Sequence, residues 1–263
     1  VDDIYGLSPG IKLIGQIAAA VILISFGIEI KFITNPFGGM LYLSYWSIPV
    51  TILWIVSITN TINLIDGLDG LAAGVSTIAV ATLCLVALQE GRILPAIMAV
   101  TLAGSSLGFL KYNFHPAQIF MGDTGALFSG YILAAISIAG ALKSAAAVTV
   151  FVPLLALGIP VFDTLFAIIR RLYHNKPIGE ADHGHIHHRL LALGWSQSEA
   201  VLIVYAISVV LGLIALIING SGLINSLIML VGVVTGIVIG AWKLGIFTVD
   251  MPSEGTGLEK TNI

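Results

Sequence analysis

Long apolar runs alternate with short polar segments along the whole chain. Eight runs approach the length that a helix needs to cross the roughly 30 Å hydrocarbon core of a membrane. They lie at residues 11–30, 48–66, 71–88, 93–112, 124–140, 146–171, 199–218 and 222–241. No run has the alternating pattern of a barrel strand, and two prolines predict a kink or break in the sixth. The pattern predicts an all-α polytopic transmembrane bundle of about eight spans.

The composition favours a membrane protein and excludes a water-soluble globule. Of the 263 residues, 57% are hydrophobic and 10% are charged, whereas a soluble domain carries about 25% charged residues. The same values exclude a disordered chain. The single cysteine, Cys84, lies within an apolar run and is predicted to be a small buried hydrophobic residue.

The few charges are divided unevenly between the two sides of the predicted bundle. When the loops are assigned in turn from residues 1–10, eight of the 11 Lys and Arg residues share the side of that first segment. The positive-inside rule makes this side cytoplasmic. Twelve of the 14 acidic residues and all six histidines lie there too. Because the rule does not require this second asymmetry, it indicates a catalytic or binding surface.

Five carboxylates from three segments reach this face. Asp2 and Asp3 precede the first run, Asp66 and Asp69 separate the second from the third, and Asp123 precedes the fifth. Ionisable groups beside hydrocarbon are costly and point to function. Each segment alone could be a solvated loop, a turn or a helix cap. Together they suit Mg²⁺, which takes one or two carboxylates and completes its shell with phosphate oxygens and water.

Three further polar residues lie in or beside the apolar runs. Asn60 and Asn63 are three residues apart on one helical face, where an amide could bind either a substrate or a neighbouring helix. Asp163 lies within the sixth run. An intramembrane carboxylate favours a functional role, and the alternative is a pairing with a polar group of another helix.

The longest polar stretch, residues 173–198, is rich in histidine. It contains the sequence Asp182-His183-Gly184-His185-Ile186-His187-His188-Arg189. The spacing fits no zinc signature well. Imidazoles and an arginine could instead donate to a diphosphate, and a solvated loop is the alternative. Together with Mg²⁺-type carboxylates, the stretch suggests phosphoryl transfer from a soluble donor to a membrane acceptor.

Four ordered segments carry a family resemblance. They are Val1-Asp2-Asp3 followed by Lys12-Leu13-Ile14-Gly15-Gln16, the block from Asn63 to Gly70, Asn113-Phe114-His115-Pro116-Ala117 running into Met121-Gly122-Asp123-Thr124-Gly125, and His185-Ile186-His187-His188-Arg189. They resemble the polyprenyl-phosphate N-acetylhexosamine-1-phosphate transferases (glycosyltransferase family 4), and the resemblance covers essentially the whole chain. The last segment resembles the UDP-GlcNAc branch, typified by teichoic-acid and common-antigen initiators. The phospho-MurNAc-pentapeptide translocase branch is the alternative.

The resemblance implies a reaction and a set of roles. A UDP-amino sugar, UDP-GlcNAc in the first instance, would give its sugar-1-phosphate to undecaprenyl phosphate at the cytoplasmic face of the plasma membrane. The transfer would release UMP and use Mg²⁺, with Mn²⁺ as a substitute. The implied catalytic residues are Asp2, Asp3, Asp66 and Asp69, and the metal ligands are Asp123 and Asp66. The implied substrate-binding residues are Lys12, Asn63, Asn113, His185, His187, His188 and Arg189.

Members of this branch have about eleven spans, and their Asp-Asp motif follows the third. We therefore expect residues 1–263 to be a single membrane transferase domain that lacks three N-terminal helices. Residues 173–198 would form a cytoplasmic loop and 242–263 a cytoplasmic tail. The expected partners are the two substrates and the lipid bilayer, with no nucleic acid, and a homodimer stays open. A transporter is the rival from another class, and the concentration of polar groups on one face counts against it.

Overall fold

The computed structural model describes residues 7–34, 40–140, 151–173 and 185–243, and almost all of them are helical. The helices are α1 (Pro9–Ser25), α2 (Ser47–Ile65), α3 (Leu71–Gln89), α4 (Ile93–Asn113), α5 (Gly122–Gly140), α6 (Phe151–Ala156), α7 (Gly158–Tyr173), α8 (Ile186–Ala192), α9 (Gln197–Asn219) and α10 (Leu223–Lys243). Six of these, α2 to α5, α9 and α10, are long and apolar enough to cross a membrane, and α1 is a shorter apolar helix. The predicted transmembrane helical bundle is confirmed.

The first and sixth apolar runs depart from single long spans. Helix α1 ends at Ser25, where Gly27 has a φ of 80°. Its amide donates to the carbonyl of Ile24, and that of Ile28 donates to Leu23, which is the Schellman ending that a left-handed glycine permits. The sixth run breaks between α6 and α7, as predicted. Pro160 lacks the amide hydrogen that would bond four residues back within a continuous helix.

A short hairpin and a short helix were not predicted. Strands β1 (Phe32–Thr34) and β2 (Met40–Tyr42) pair antiparallel, with Ile33 opposite Leu41. This hairpin connects the end of α1 to the start of α2. Helix α8 lies within the stretch that was expected to be a loop. Residues 174–184 of that stretch, and residues 244–263 of the expected tail, lie outside the described residues.

Helix α3 is the most buried of the six candidate spans and packs against α2, α4, α5, α6 and α9. Cys84 lies on α3 and is buried, as expected. Small residues allow close helix approach where the core is tightest. A Cβ at Gly130 of α5 would lie 2.8 Å from the Cα of Thr59 of α2, so the backbones of these two helices touch there.

The order of the helices brings several ends together at one end of the bundle, which we call the polar end. Helices α2 and α4 finish there, whereas α1, α5 and α9 start there. Bonds from Lys12 to Asp123, from Gly70 to Asn113, and from Tyr205 to Gly70 are among the direct links between these ends. The hairpin lies at the opposite end.

Candidate active site

The loop between α2 and α3, residues 66–70, is held by two other helices. Gly70 has a φ of 78°, which favours glycine. Its amide donates to Oδ1 of Asn113 at 3.1 Å, and its carbonyl accepts from Oη of Tyr205 at 2.5 Å. Both polar groups of this peptide position are therefore fixed by side chains from α4 and α9.

Asn113 was expected to bind substrate, and in the structure its side-chain amide is bonded to backbone groups. Its side chain is only 3% exposed. Besides accepting from Gly70, it donates through Nδ2 to the carbonyl of Ile119 at 2.9 Å. Both ends of the amide are thus used by backbone groups. Asn113 joins the 66–70 loop to the connection between α4 and α5.

Asp69 makes a second link between the same two segments. Its Oδ2 accepts from Nδ1 of His115 at 2.9 Å and from the amide of Ala117 at 3.1 Å. The hydrogen bond from His115, with a smaller contribution from that of Ala117, holds the pKa of Asp69 below its ordinary value. Asp69 is therefore an ionised group at the polar end. His115 belongs to one of the four sequence segments, but the sequence did not predict a role for it.

Asp66, Asp123 and Lys12 converge from α2, α5 and α1. Asp66 caps the end of α2, and Asp123 lies in the first turn of α5. The Nζ atom of Lys12 is 2.5 Å from Oδ2 of Asp123. Burial, and to a lesser degree the nearby charge of Asp123, raises the pKa of Asp66 to about 6. The structure thus brings together two carboxylates close enough to repel each other electrostatically, and the ammonium group of Lys12 beside them.

This pair of carboxylates has the chemistry of a partial cation site. Within the described ranges there is no cluster of three or more His, Cys, Asp or Glu side chains. Mg²⁺ does not need one, since it commonly takes one or two carboxylates together with water and substrate phosphates. A divalent cation would offset both the cost of burying the Asp66 carboxylate, which is the larger cause of its raised pKa, and the smaller repulsion from Asp123. Asp66 and Asp123 could therefore hold Mg²⁺.

The histidine motif begins at the first turn of α8, and α7 holds it in place. Nδ1 of His185 lies 2.8 Å from Oδ2 of Asp163, and the amide of Ile186 donates to Oδ1 at 2.9 Å. The His185 ring stacks on that of His187, with centroids 5.7 Å apart and planes 3° from parallel. The rings of His187 and His188 are 4.2 Å apart. The motif is therefore a packed structure and not a solvated loop.

His187 joins this motif to the carboxylates. It is 2% exposed, and its buried Nε2 has no hydrogen-bond partner among the described residues. A Cβ at Gly67 would lie 2.7 Å from that atom, so the imidazole rests on the 66–70 loop. Burial lowers the pKa of His187 to about 4, with help from His188. At neutral pH the ring is uncharged and offers a single N–H.

The remaining residues that the sequence analysis singled out divide into four groups. Arg189 is buried and His188 half-buried in the same helix α8. Asn63 has a buried Oδ1 that no described group satisfies, so it stays a candidate for binding a ligand. Asn60 instead forms a reciprocal amide pair with Gln16 of α1, at 2.9 and 2.7 Å, which is the neighbouring-helix alternative. Asp2 and Asp3 lie outside the described residues.

Residues 1–141 match Glycosyl transferase family 4. The chain belongs to this family. It is 45% identical over 222 residues to a probable undecaprenyl-phosphate N-acetylglucosaminyl 1-phosphate transferase of Bacillus subtilis, covering 84% of this chain and 62% of the relative. It is 38% identical to a decaprenyl-phosphate N-acetylglucosaminephosphotransferase of Mycobacterium tuberculosis, over 78% and 56% of the two chains.

A second kind of relative is more distant. The chain is 33% identical to a phospho-N-acetylmuramoyl-pentapeptide-transferase of Lactobacillus johnsonii, over 82% of this chain and 66% of the relative. The chain spans about three-fifths of the length of the N-acetylglucosamine-type relatives that it matches. The family resemblance inferred from the four motifs is confirmed.

Proposed function

We propose that the protein carrying this chain transfers GlcNAc-1-phosphate from UDP-GlcNAc to a polyprenyl phosphate such as undecaprenyl phosphate, and releases UMP. The observation that carries the proposal is the meeting of Asp66, Asp123 and Lys12 beside the packed histidine helix α8, at one end of a membrane bundle. Carboxylates for a cation, a lysine and an arginine-histidine motif are the groups that phosphoryl transfer uses. The product would begin a cell-wall or surface glycan.

The choice of GlcNAc rests on two observations. Identity is higher to the relatives named for N-acetylglucosamine, at 45% and 38%, than to the pentapeptide transferase, at 33%. The histidine motif also continues as Arg189-Leu190-Leu191 without an acidic residue, which resembles the UDP-GlcNAc branch. UDP-MurNAc-pentapeptide is the alternative donor.

We place the polar end of the bundle at the cytoplasmic side of the membrane. The order of apolar runs in the sequence assigns eight of the 11 Lys and Arg residues to the same side as the Asp66 and Asp123 segments, and positive charge marks the cytoplasmic side. A nucleotide sugar is a cytoplasmic solute, whereas a polyprenyl phosphate resides in the membrane. A site where helix ends meet the cytoplasm serves both.

The residues of the site would have distinct roles in the transfer. A Mg²⁺ held by Asp66 and Asp123 would neutralise charge on the donor diphosphate. Lys12, which is adjacent to Asp123, would hold the acceptor phosphate beside that diphosphate. An oxygen of the acceptor phosphate bonds to the sugar-bearing phosphorus, and the bond from that phosphorus to UMP breaks. Asp69 and His115 keep the 66–70 loop in register with α5, while His187 and Arg189 face the donor.

The decisive experiment measures UMP release from UDP-GlcNAc and undecaprenyl phosphate by the full protein in detergent, with and without Mg²⁺. Asp123→Asn should lower turnover by about 100-fold or more, the scale expected when an electrostatic contact to a transition state is lost. Glu29→Gln makes the same chemical change at the opposite end, where Glu29 pairs with Lys31, and should leave turnover unchanged.

Two results would overturn this proposal. Unchanged turnover in Asp123→Asn would remove the metal assignment. No UMP from wild-type protein with either UDP-GlcNAc or UDP-MurNAc-pentapeptide would remove the transferase function itself. Turnover with the pentapeptide donor alone would replace the GlcNAc assignment with the alternative branch.

A further inference from the structure

Asp163 is a buried carboxylate that the proposed reaction does not use. It lies in the second turn of α7, just beyond the break that separates α6 from α7, and is only 5% exposed. A buried carboxylate is costly unless its oxygens are hydrogen-bonded. Both oxygens of Asp163 must therefore be satisfied by neighbouring donors.

Both oxygens of Asp163 are directed at the start of α8. Oδ2 lies 2.8 Å from Nδ1 of His185, and Oδ1 accepts from the amide of Ile186 at 2.9 Å. His185 is the N-cap residue of α8, but its own side chain does not cap the helix. Asp163 supplies that cap from another helix, and so fixes both the position of α8 and the orientation of the His185 ring.

The constraint continues into the proposed donor site. His185 stacks in parallel on His187, which in turn contacts the 66–70 loop at Gly67. Arg189 follows one helical turn after His185. A displacement of His185 would therefore displace the groups that face the donor. Lys12 and Asp123 are held by a different pair of helices and would not move with it.

We propose that Asp163 is a positioning residue for the nucleotide-sugar half of the site, acting through His185 and the start of α8. The inference rests on the proposed function, because it assigns α8 to the donor. If Asp163 has this role, loss of its carboxylate will weaken binding of the donor but not of the acceptor. Acceptor binding and the rate at saturating donor should be nearly preserved.

The test compares Asp163→Asn, His185→Gln and the double variant in the full protein. Asp163→Asn keeps one oxygen to accept from Ile186 but removes the second acceptor that His185 uses. We expect the KM for UDP-GlcNAc and its Kd, measured by calorimetry, to rise about tenfold. The KM for undecaprenyl phosphate and kcat should change less than twofold. Because the two residues act through one contact, the double variant should resemble either single variant.

Matched measurements separate positioning from general damage. Thermal unfolding in the same detergent reports stability, and Glu29→Gln controls for the loss of a carboxylate elsewhere. If Asp163→Asn does not fold, His185→Gln removes the same link from the other side and is expected to give the same donor-specific change.

Several outcomes would overturn the inference. They are an unchanged donor Kd in folded variants, an equal loss for donor and acceptor, or additive effects in the double variant. Wild-type protein that neither binds UDP-GlcNAc nor releases UMP would show that the proposed function has failed. Wild-type activity with an unaffected Asp163→Asn variant would show that only the positioning role has failed.

Discussion

The two sides of the site hold their charged and polar groups in opposite ways. On the carboxylate side, formed by Asp66, Asp69, Asp123 and Lys12, the ion pair between Lys12 and Asp123 is about a third exposed. On the histidine side, formed by Asp163, His185, His187 and Arg189, every member is less than 9% exposed. Exposed ion pairs contribute little and exchange partners readily, whereas breaking a buried pair is strongly destabilising. Breaking the exposed pair should therefore cost little stability, and disturbing the buried groups should cost much more.

The largest effect should come from breaking the exposed ion pair. We expect Lys12→Met to lower kcat about 100-fold, since it removes the positive charge proposed to lie beside the reacting phosphates. The same change should lower the Mg²⁺ concentration that gives half-maximal activity, because the ammonium group no longer competes for Asp123. UMP release over a Mg²⁺ series measures both quantities.

Lys31→Met is the control for this change, since Lys31 pairs with Glu29 at the opposite end of the bundle. It should leave both quantities as they are in wild type. A Lys12→Met protein that needs more Mg²⁺ than wild type would contradict the idea that the pair exchanges partners.

A smaller effect should follow from crowding the buried side. In Gly67→Ala, the added Cβ would lie 2.7 Å from Nε2 of His187, so the ring must shift within packed surroundings, at a cost of about 1–3 kcal/mol. We expect the KM for the donor to rise about tenfold and the acceptor KM to stay constant. Gly108→Ala in α4 places its Cβ in open space and should change neither constant. Equal donor kinetics for the two variants would disprove the contact.

The smallest effect should be a pH dependence that differs in sign between Asp66 and Asp69. The pKa of Asp66 is raised from 3.8 to about 6, so the folded state binds its proton more tightly than the unfolded state. Its contribution to stability is present below about pH 4 and is lost as the pH rises to 6. The pKa of Asp69 is lowered, so its contribution is present above its ordinary pKa and lost in more acidic solution.

Thermal unfolding in EDTA tests this difference. As the pH is raised from 4 to 6, the Tm of wild type should fall by a few degrees relative to that of Asp66→Asn. When wild type is compared with Asp69→Asn, the change has the opposite direction. The wild-type Tm should fall relative to that of Asp69→Asn as the pH is lowered below the ordinary pKa of an aspartate. Parallel pH profiles for wild type and Asp66→Asn would show that Asp66 is not perturbed by its surroundings.

The carboxylate side could be predicted from the sequence, and the histidine side only in part. Counting spans places Asp66, Asp69, Asp123 and Lys12 at one membrane face, because a helix that crosses a bilayer fixes the side of each end. Apolar runs likewise predicted most of the helices. The three-residue strands of the hairpin are too short to show a periodicity.

What could not be predicted depends on the direction of side chains and on contacts between distant segments. The Asp163–His185 contact joins residues 22 apart in sequence, and no spacing rule states that α8 returns to α7. Asn113 stood in a recognised motif, but the motif does not reveal that its amide points into the protein and not toward a ligand. Tyr205 lies in an apolar span with no local signal, although its hydroxyl fixes Gly70.

A rotation of α2 against α5 would turn about their close crossing at Thr59 and Gly130, which would then be a pivot with two equal arms. Asp66 lies seven residues beyond Thr59, and Asp123 lies seven residues before Gly130. At about 1.5 Å per residue, each carboxylate is about 10 Å from the crossing. A rotation of about ten degrees at the pivot would therefore change their separation by about 2 Å, roughly one Mg²⁺–oxygen bond length. If Asp66 and Asp123 hold one Mg²⁺ as proposed, the close helix approach that Gly130 permits would help to decide whether both carboxylates reach it.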